Sequence, residues 1–141
     1  MADYTPPVRD IAFTLETISD IDSIAALPGF EHVETDMVDG LLDEAARFFS
    51  QVFAPTNEIG DQEGAKLVDD VVVTPEPFKG AWAKLVEAGW TAVTGDMDYG
   101  GHGFPKTIGL AISEMMTTAN LAFSLNPMLT GSAITLLTRH G

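Results

Sequence analysis

Apolar residues recur along much of this chain at helical rather than strand spacing. In residues 36–53, Met37, Leu41, Ala45, Phe48 and Val52 form one row, and Val38, Leu42, Phe49 and Phe53 form the row beside it. Positions three and four apart share one side of a helix, so the two rows make a wide apolar stripe. Asp39, Asp43, Glu44, Arg47 and Gln51 lie opposite. The pattern predicts a helix over 36–53. Pro55 is its expected stop, because proline has no N–H and its ring clashes with the turn before it. A stripe this rich in phenylalanine reads as core, not as a cofactor-binding face.

The remaining elements follow from the same spacing. Residues 1–35 read as an arm with a short helix, in which Ile11, Leu15 and Ile18 are helically spaced; "ALPGF" (Ala26 to Phe30) closes it with a turn. Residues 56–73 read as a loop, with Val71 to Val73 as a short extended piece. A helix is expected over 75–88, with Thr74 as N-cap, Pro75 at the first helical position and Gly89 just past the end. Its buried face is Phe78, Trp82, Leu85 and Val86. Another helix is expected over 105–122, with Ile108, Ala111, Ile112, Met115 and Met116 on one side. Asn126-Pro127 should break or kink the chain, and a last helix should run from 128 to 137. Four to five helices and almost no strand predict an all-α helical bundle: residues 1–35 as an arm, 36–141 as the helical domain.

Composition narrows the function. The 141 residues, 45% of them apolar, suffice for a packed core and argue against disorder. The net charge of -14, with seven Lys and Arg in all, excludes nucleic acid and anionic membrane surfaces as expected partners, since both require a basic patch. With no cysteine there is no disulfide, no thiol nucleophile and no Cys-held metal or iron–sulfur cluster. The opening "MADYTPPVRD" lacks a basic segment followed by an apolar one, so a cytoplasmic protein is expected. Residues 115–138 carry no charge. Their five Thr, two Ser, two Asn and one Pro predict two buried helices joined at Asn126-Pro127 rather than a membrane span.

Three features of the sequence could carry chemistry. "DMDYGGHGFPK", from Asp96 to Lys106, is glycine-rich as phosphate loops are. Its spacing matches neither G-x-x-x-x-G-K-[ST] nor G-x-G-x-x-G, and Glu87, Asp96 and Asp98 would repel a phosphate. The glycines are expected to serve positive φ or close backbone approach, with Pro105 opening the next helix. His32, His102 and His140 show no metal-ligand spacing, so no metal site is expected. Glu114 is the lone carboxylate of the apolar region 107–138; a helix edge or a structural pair suits it better than a general base. No Ser-His-Asp arrangement is recognisable.

The order of motifs carries a resemblance. Gly89-Trp90, then "DYGGHGFP", then a helix bearing "ISE" at Ile112 to Glu114, then "ANLAFSLNPMLTGSAITLLTRHG", is similar to the N-terminal helical domain of the acyl-CoA dehydrogenases, best over 75–141. The opening "YTPPVRDIAFTLE" resembles the extra segment of longer bacterial members, among them the 3-methylmercaptopropionyl-CoA dehydrogenase group. Asp96 and Met97 stand where the family usually has a proline, and Met115 replaces the second acid of a Glu-Glu pair.

The resemblance implies a fragment of a three-domain, FAD-dependent enzyme that desaturates acyl-CoA thioesters and passes electrons to an acceptor as a homo-oligomer. The flavin and the catalytic glutamate would belong mostly to later domains, leaving no catalytic residue here; Glu114 falls at a structural position. This domain's share would be one wall of the acyl pocket, from Phe123, Ser124, Leu125, Met128 and Leu129 around the expected break. The competing readings are a stand-alone helical module that binds an acyl chain or a partner helix without flavin, and an inactive folding unit.

Overall fold

A computed structural model describes residues 4–141, and of Thr35 the backbone alone. Met1, Ala2 and Asp3 of the N-terminal arm lie outside the described residues. The helices are α1 (Val8–Thr17), α2 (Ile21–Ala25), α3 (Thr35–Phe48), α4 (Ala54–Glu63), α5 (Glu76–Glu87), α6 (Lys106–Ala119) and α7 (Leu121–His140). A π-helical turn (Phe49–Phe53) joins α3 to α4, and a 3-10 turn (Met97–Tyr99) lies between α5 and α6. Strands β1 (Lys66–Val68) and β2 (Val71–Val73) pair antiparallel around Asp69-Asp70, both in the left-handed region. The all-α class expected from the periodicity is therefore the observed one, with the valine run as one arm of a small hairpin.

The core gathers the predicted stripe. Val38, Leu42, Ala45, Phe49 and Phe53 are buried against Ile108, Ala111, Ile112 and Met115 of α6, with Leu85 from α5 and Ile11 and Leu15 from α1. Burial of this apolar area is the main stabilising term. Met37, Ile18 and Val86 are exposed instead, at the edges of their stripes.

Pro55 does not stop the helix. The chain passes through the π turn and continues as α4, with Pro55 in its first turn. The wider turn inserts one residue, which relieves the clash between the Pro55 ring and the carbonyl four residues back and places the missing N–H where a new helix start needs none. Phe49 and Phe53, four residues apart on one face, both point into the core, fully buried.

Asn126-Pro127 does not divide the last helix either. The break falls six residues earlier, at Asn120, whose φ of -159° and ψ of 98° are extended. From there α7 runs unbroken through Pro127 to His140. An interior proline costs a helix about 3 kcal/mol. A first turn capped by Asn120 and anchored in the core by Phe123 offsets part of that cost. The expected pair of helices is thus present but joined at Asn120, and the second of them, long and apolar enough to cross a membrane, is largely exposed in this chain rather than buried. α5 and α6 begin one residue later than expected, with Pro75 and Pro105 in the N-cap position rather than just inside.

The glycine turn is a self-closed piece of backbone. The N–H groups of Gly101, His102, Gly103 and Phe104 donate to the carbonyls of Asp96, Ala92, Gly95 and Val93, at 2.9 to 3.0 Å. Asp96 caps the 3-10 turn by accepting the Asp98 N–H at 2.9 Å, and Gly100 leaves it at φ 81°. Four backbone donors that a phosphate would need are already engaged. His32 Nε2 meets the His102 carbonyl at 3.2 Å, so two of the three histidines serve the turn.

Candidate substrate-facing surface

The α6–α7 junction is built on one residue. Asn120 is buried and caps α7 by accepting the Phe123 N–H on Oδ1 at 3.0 Å. Its Nδ2 donates to Thr56 Oγ1 in α4 at 2.9 Å, and Thr56 Oγ1 donates to the Phe53 carbonyl in the π turn at 2.7 Å. Asparagine before an apolar run is an N-cap signal that a reading of the sequence could have used to place this boundary.

Phe123 anchors the first turn of α7. Its ring lies 4.5 Å from Phe53, 4.9 Å from Phe78 and 6.3 Å from Trp82, all tilted. Such pairs add about 0.5–1.5 kcal/mol each beyond burial. Ser124 is buried beside it, its hydroxyl donating to the Leu121 carbonyl at 2.7 Å.

The five residues proposed as an acyl wall therefore divide. Phe123 and Ser124 face inward. Leu125, Met128 and Leu129 are exposed, and their spacing of three and four puts them on one side of α7. Leu121, one turn earlier on the same side, is also exposed. The set makes an open apolar strip rather than an enclosed pocket. Two clefts lie elsewhere. One, of about 190 Å³ between α1 and α6, is lined by Ile11, Leu15, Leu110 and Glu114. The other, of about 280 Å³ beside the π turn, is lined by Gln51, Pro55, Pro77 and Lys84.

Glu114 is exposed at the rim of the first cleft, as the helix-edge reading required. Near it sits Tyr4, whose phenol is pushed above its ordinary value chiefly by burial; a hydrogen bond with Thr118 opposes this, and the Glu114 charge adds the smallest share.

These residues do not by themselves make a flavin site. The buried polar side chains Thr56, Asn120 and Ser124 satisfy one another or the backbone. Trp90 Nε1 is buried without a hydrogen-bond partner among the described residues, but it lies in a cluster of rings with Phe48 and Phe49.

Comparison with known proteins places the chain. Residues 35–141 match the family described as acyl-CoA dehydrogenase, N-terminal domain. The chain is 38% identical over 138 residues to 3-methylmercaptopropionyl-CoA dehydrogenase of Ruegeria pomeroyi, covering 98% of the chain and 24% of that protein. It is 30% identical over 138 residues to a butyryl-CoA dehydrogenase of Syntrophomonas wolfei, covering 95% and 22%. A broad-specificity linear acyl-CoA dehydrogenase of Mycobacterium tuberculosis is 30% identical over 124 residues, covering 86% and 20%. The chain thus spans between a fifth and a quarter of the length of the curated relatives it matches. On this match and its helical fold, the chain belongs to the acyl-CoA dehydrogenase family, as its N-terminal domain.

Proposed function

We propose that this chain is the N-terminal domain of an FAD-dependent acyl-CoA dehydrogenase, which introduces an α,β double bond into an acyl-CoA thioester, and that it supplies one wall of the acyl pocket. The observation that carries the reading is the family match over 35–141 joined to the strip on α7. That strip is apolar, rooted in the core through Phe123 and open to a further surface. The base, the flavin and the contact with an electron acceptor are assigned to parts of the protein outside these residues.

The wall's work is physical. Leu125, Met128 and Leu129 would cover an acyl chain with apolar surface and keep water from the reacting carbons. Methionine and leucine adapt to a flexible chain without fixing its length. Ser124 and Phe123 would hold the strip in place from below rather than touch the substrate.

The test is turnover by the full-length protein that carries this chain, assayed with acyl-CoAs of several lengths and an artificial electron acceptor. The expected result is an enoyl-CoA product and acceptor reduction. Leu129→Trp should lower kcat/KM most for the longest acyl groups. Acyl-CoA recovered unchanged under all conditions overturns the reading.

A further inference from the structure

Asn120 stands alone between two long helices. Its N–H closes α6 on the Met116 carbonyl at 3.1 Å, and its own carbonyl accepts the Ser124 N–H at 3.1 Å. Its side chain then reaches out of this pair of helices to Thr56, which is itself tied to the π turn. Asn120 is 1% exposed and Thr56 is 4% exposed, so the link is shielded from water.

Past its first turn, α7 packs on little among the described residues of this chain. Leu125, Met128, Leu129, Ile134, Leu136 and Leu137 are all exposed. Within this chain the helix is a rod roughly 30 Å long that is anchored at its first turn. Leu129 lies about 13 Å along it from Asn120. A tilt of about 5° at Asn120 would therefore shift Leu129 by about 1 Å, enough to spoil the fit of a binding wall. An apolar pair of the same shape could fill the Thr56–Asn120 space with similar stability, but it would not fix a direction.

We infer that the Thr56–Asn120 hydrogen bond is a lock that aims α7, making both residues positioning residues for the acyl-facing strip; the effect on acyl groups rests on the function proposed above. The lock couples the π turn to the strip. The one-residue insertion that admits Pro55 also brings Thr56 under Asn120.

The test uses Thr56→Val, which keeps the shape and removes the hydroxyl, and Thr56→Ser, which keeps the hydroxyl. Both are made in the full-length protein. Two readouts are taken: amide hydrogen exchange over residues 121–129, and KM and kcat across acyl-CoA lengths. In Thr56→Val, exchange over 121–129 should quicken about tenfold, the scale of one net hydrogen bond. KM should rise for long acyl groups, with kcat on the shortest nearly unchanged. Thr56→Ser should restore both. If Thr56→Val lowers Tm while exchange over 121–129 and the KM profile stay as in wild type, the pair is merely structural and the inference is overturned. Faster exchange in a protein that turns over no acyl-CoA sustains the lock and overturns the acyl reading alone. Where Thr56→Val fails to fold, Asn120→Asp, which keeps the cap and loses the donor, is read in the same way.

Discussion

Gly101 lies so close to Gly95 that a Cβ on Gly101 would collide with the Gly95 carbonyl carbon and oxygen. The two strands of backbone can close on each other only because this position carries a hydrogen. Gly101→Val should therefore destabilise the fold by on the order of 3 kcal/mol, the range for forced overpacking and backbone strain. Urea unfolding measures it. A midpoint equal to wild type would show that the turn opens freely, and its glycines would then need another explanation.

Phe123 and Leu129 lie on the same helix but should respond differently to truncation. Phe123 is buried against Phe53 and Phe78, so Phe123→Ala should cost about 3–5 kcal/mol. Leu129 is 66% exposed, so Leu129→Ala should stay within about 0.5 kcal/mol in the 141-residue chain. Thermal unfolding of the two variants compares them directly. Equal losses would mean that α7 is packed along its whole length.

The exposed side of α7 should make the 141-residue chain associate with itself. Apolar strips of this extent are normally covered in soluble proteins. Light scattering at rising concentration should show species larger than 15.1 kDa. The double variant Leu125→Asp with Leu129→Asp should return the chain toward that mass. A monodisperse wild-type monomer would count against an exposed strip and against the fragment reading together.

Tyr4 gives a pH signature. Burial, reinforced by Glu114, raises its phenol above the ordinary 10.0. The folded chain then holds the proton more tightly than the unfolded one. The contribution to stability is fully present below about pH 10 and is lost as pH rises through the folded value. Melting temperatures recorded from about pH 8 to about pH 11 should fall more steeply for wild type than for Tyr4→Phe at the alkaline end. Parallel curves would show that the Tyr4 phenol is not buried in solution.

Much of the fold was legible along the chain. The doubled row from Val38 to Phe53 and the α6 stripe each lie on the side that the spacing assigned to the core; of the α5 stripe, Leu85 is buried, Phe78 and Trp82 are half-buried and Val86 is exposed. The glycine spacing implies a structural turn, and its engaged N–H groups agree. The largest departures from the sequence reading were at Pro55 and Pro127, neither of which ends a helix. Pro55 and Pro127 are local penalties of a few kcal/mol, and local penalties lose when the flanking segments gain more by staying helical. At Pro55 a π turn absorbed the misfit. At Pro127 the anchored first turn of α7 did so.

The candidate strip shows the same division. Helical spacing alone puts Leu125, Met128 and Leu129 on one face, and the resemblance in motif order points to an acyl wall. Whether that face is buried is a long-range fact. It depends on Phe123 finding Phe53 and Phe78, and on Asn120 finding Thr56 across 64 positions of chain. The sequence by itself determined the helical class, the apolar stripes, the family and the self-closing turn, because each is set by neighbours within a few residues or by the order of motifs. Only the tertiary structure decided where the last helix begins and which of its sides stays open, because those follow from contacts between residues that the chain keeps far apart.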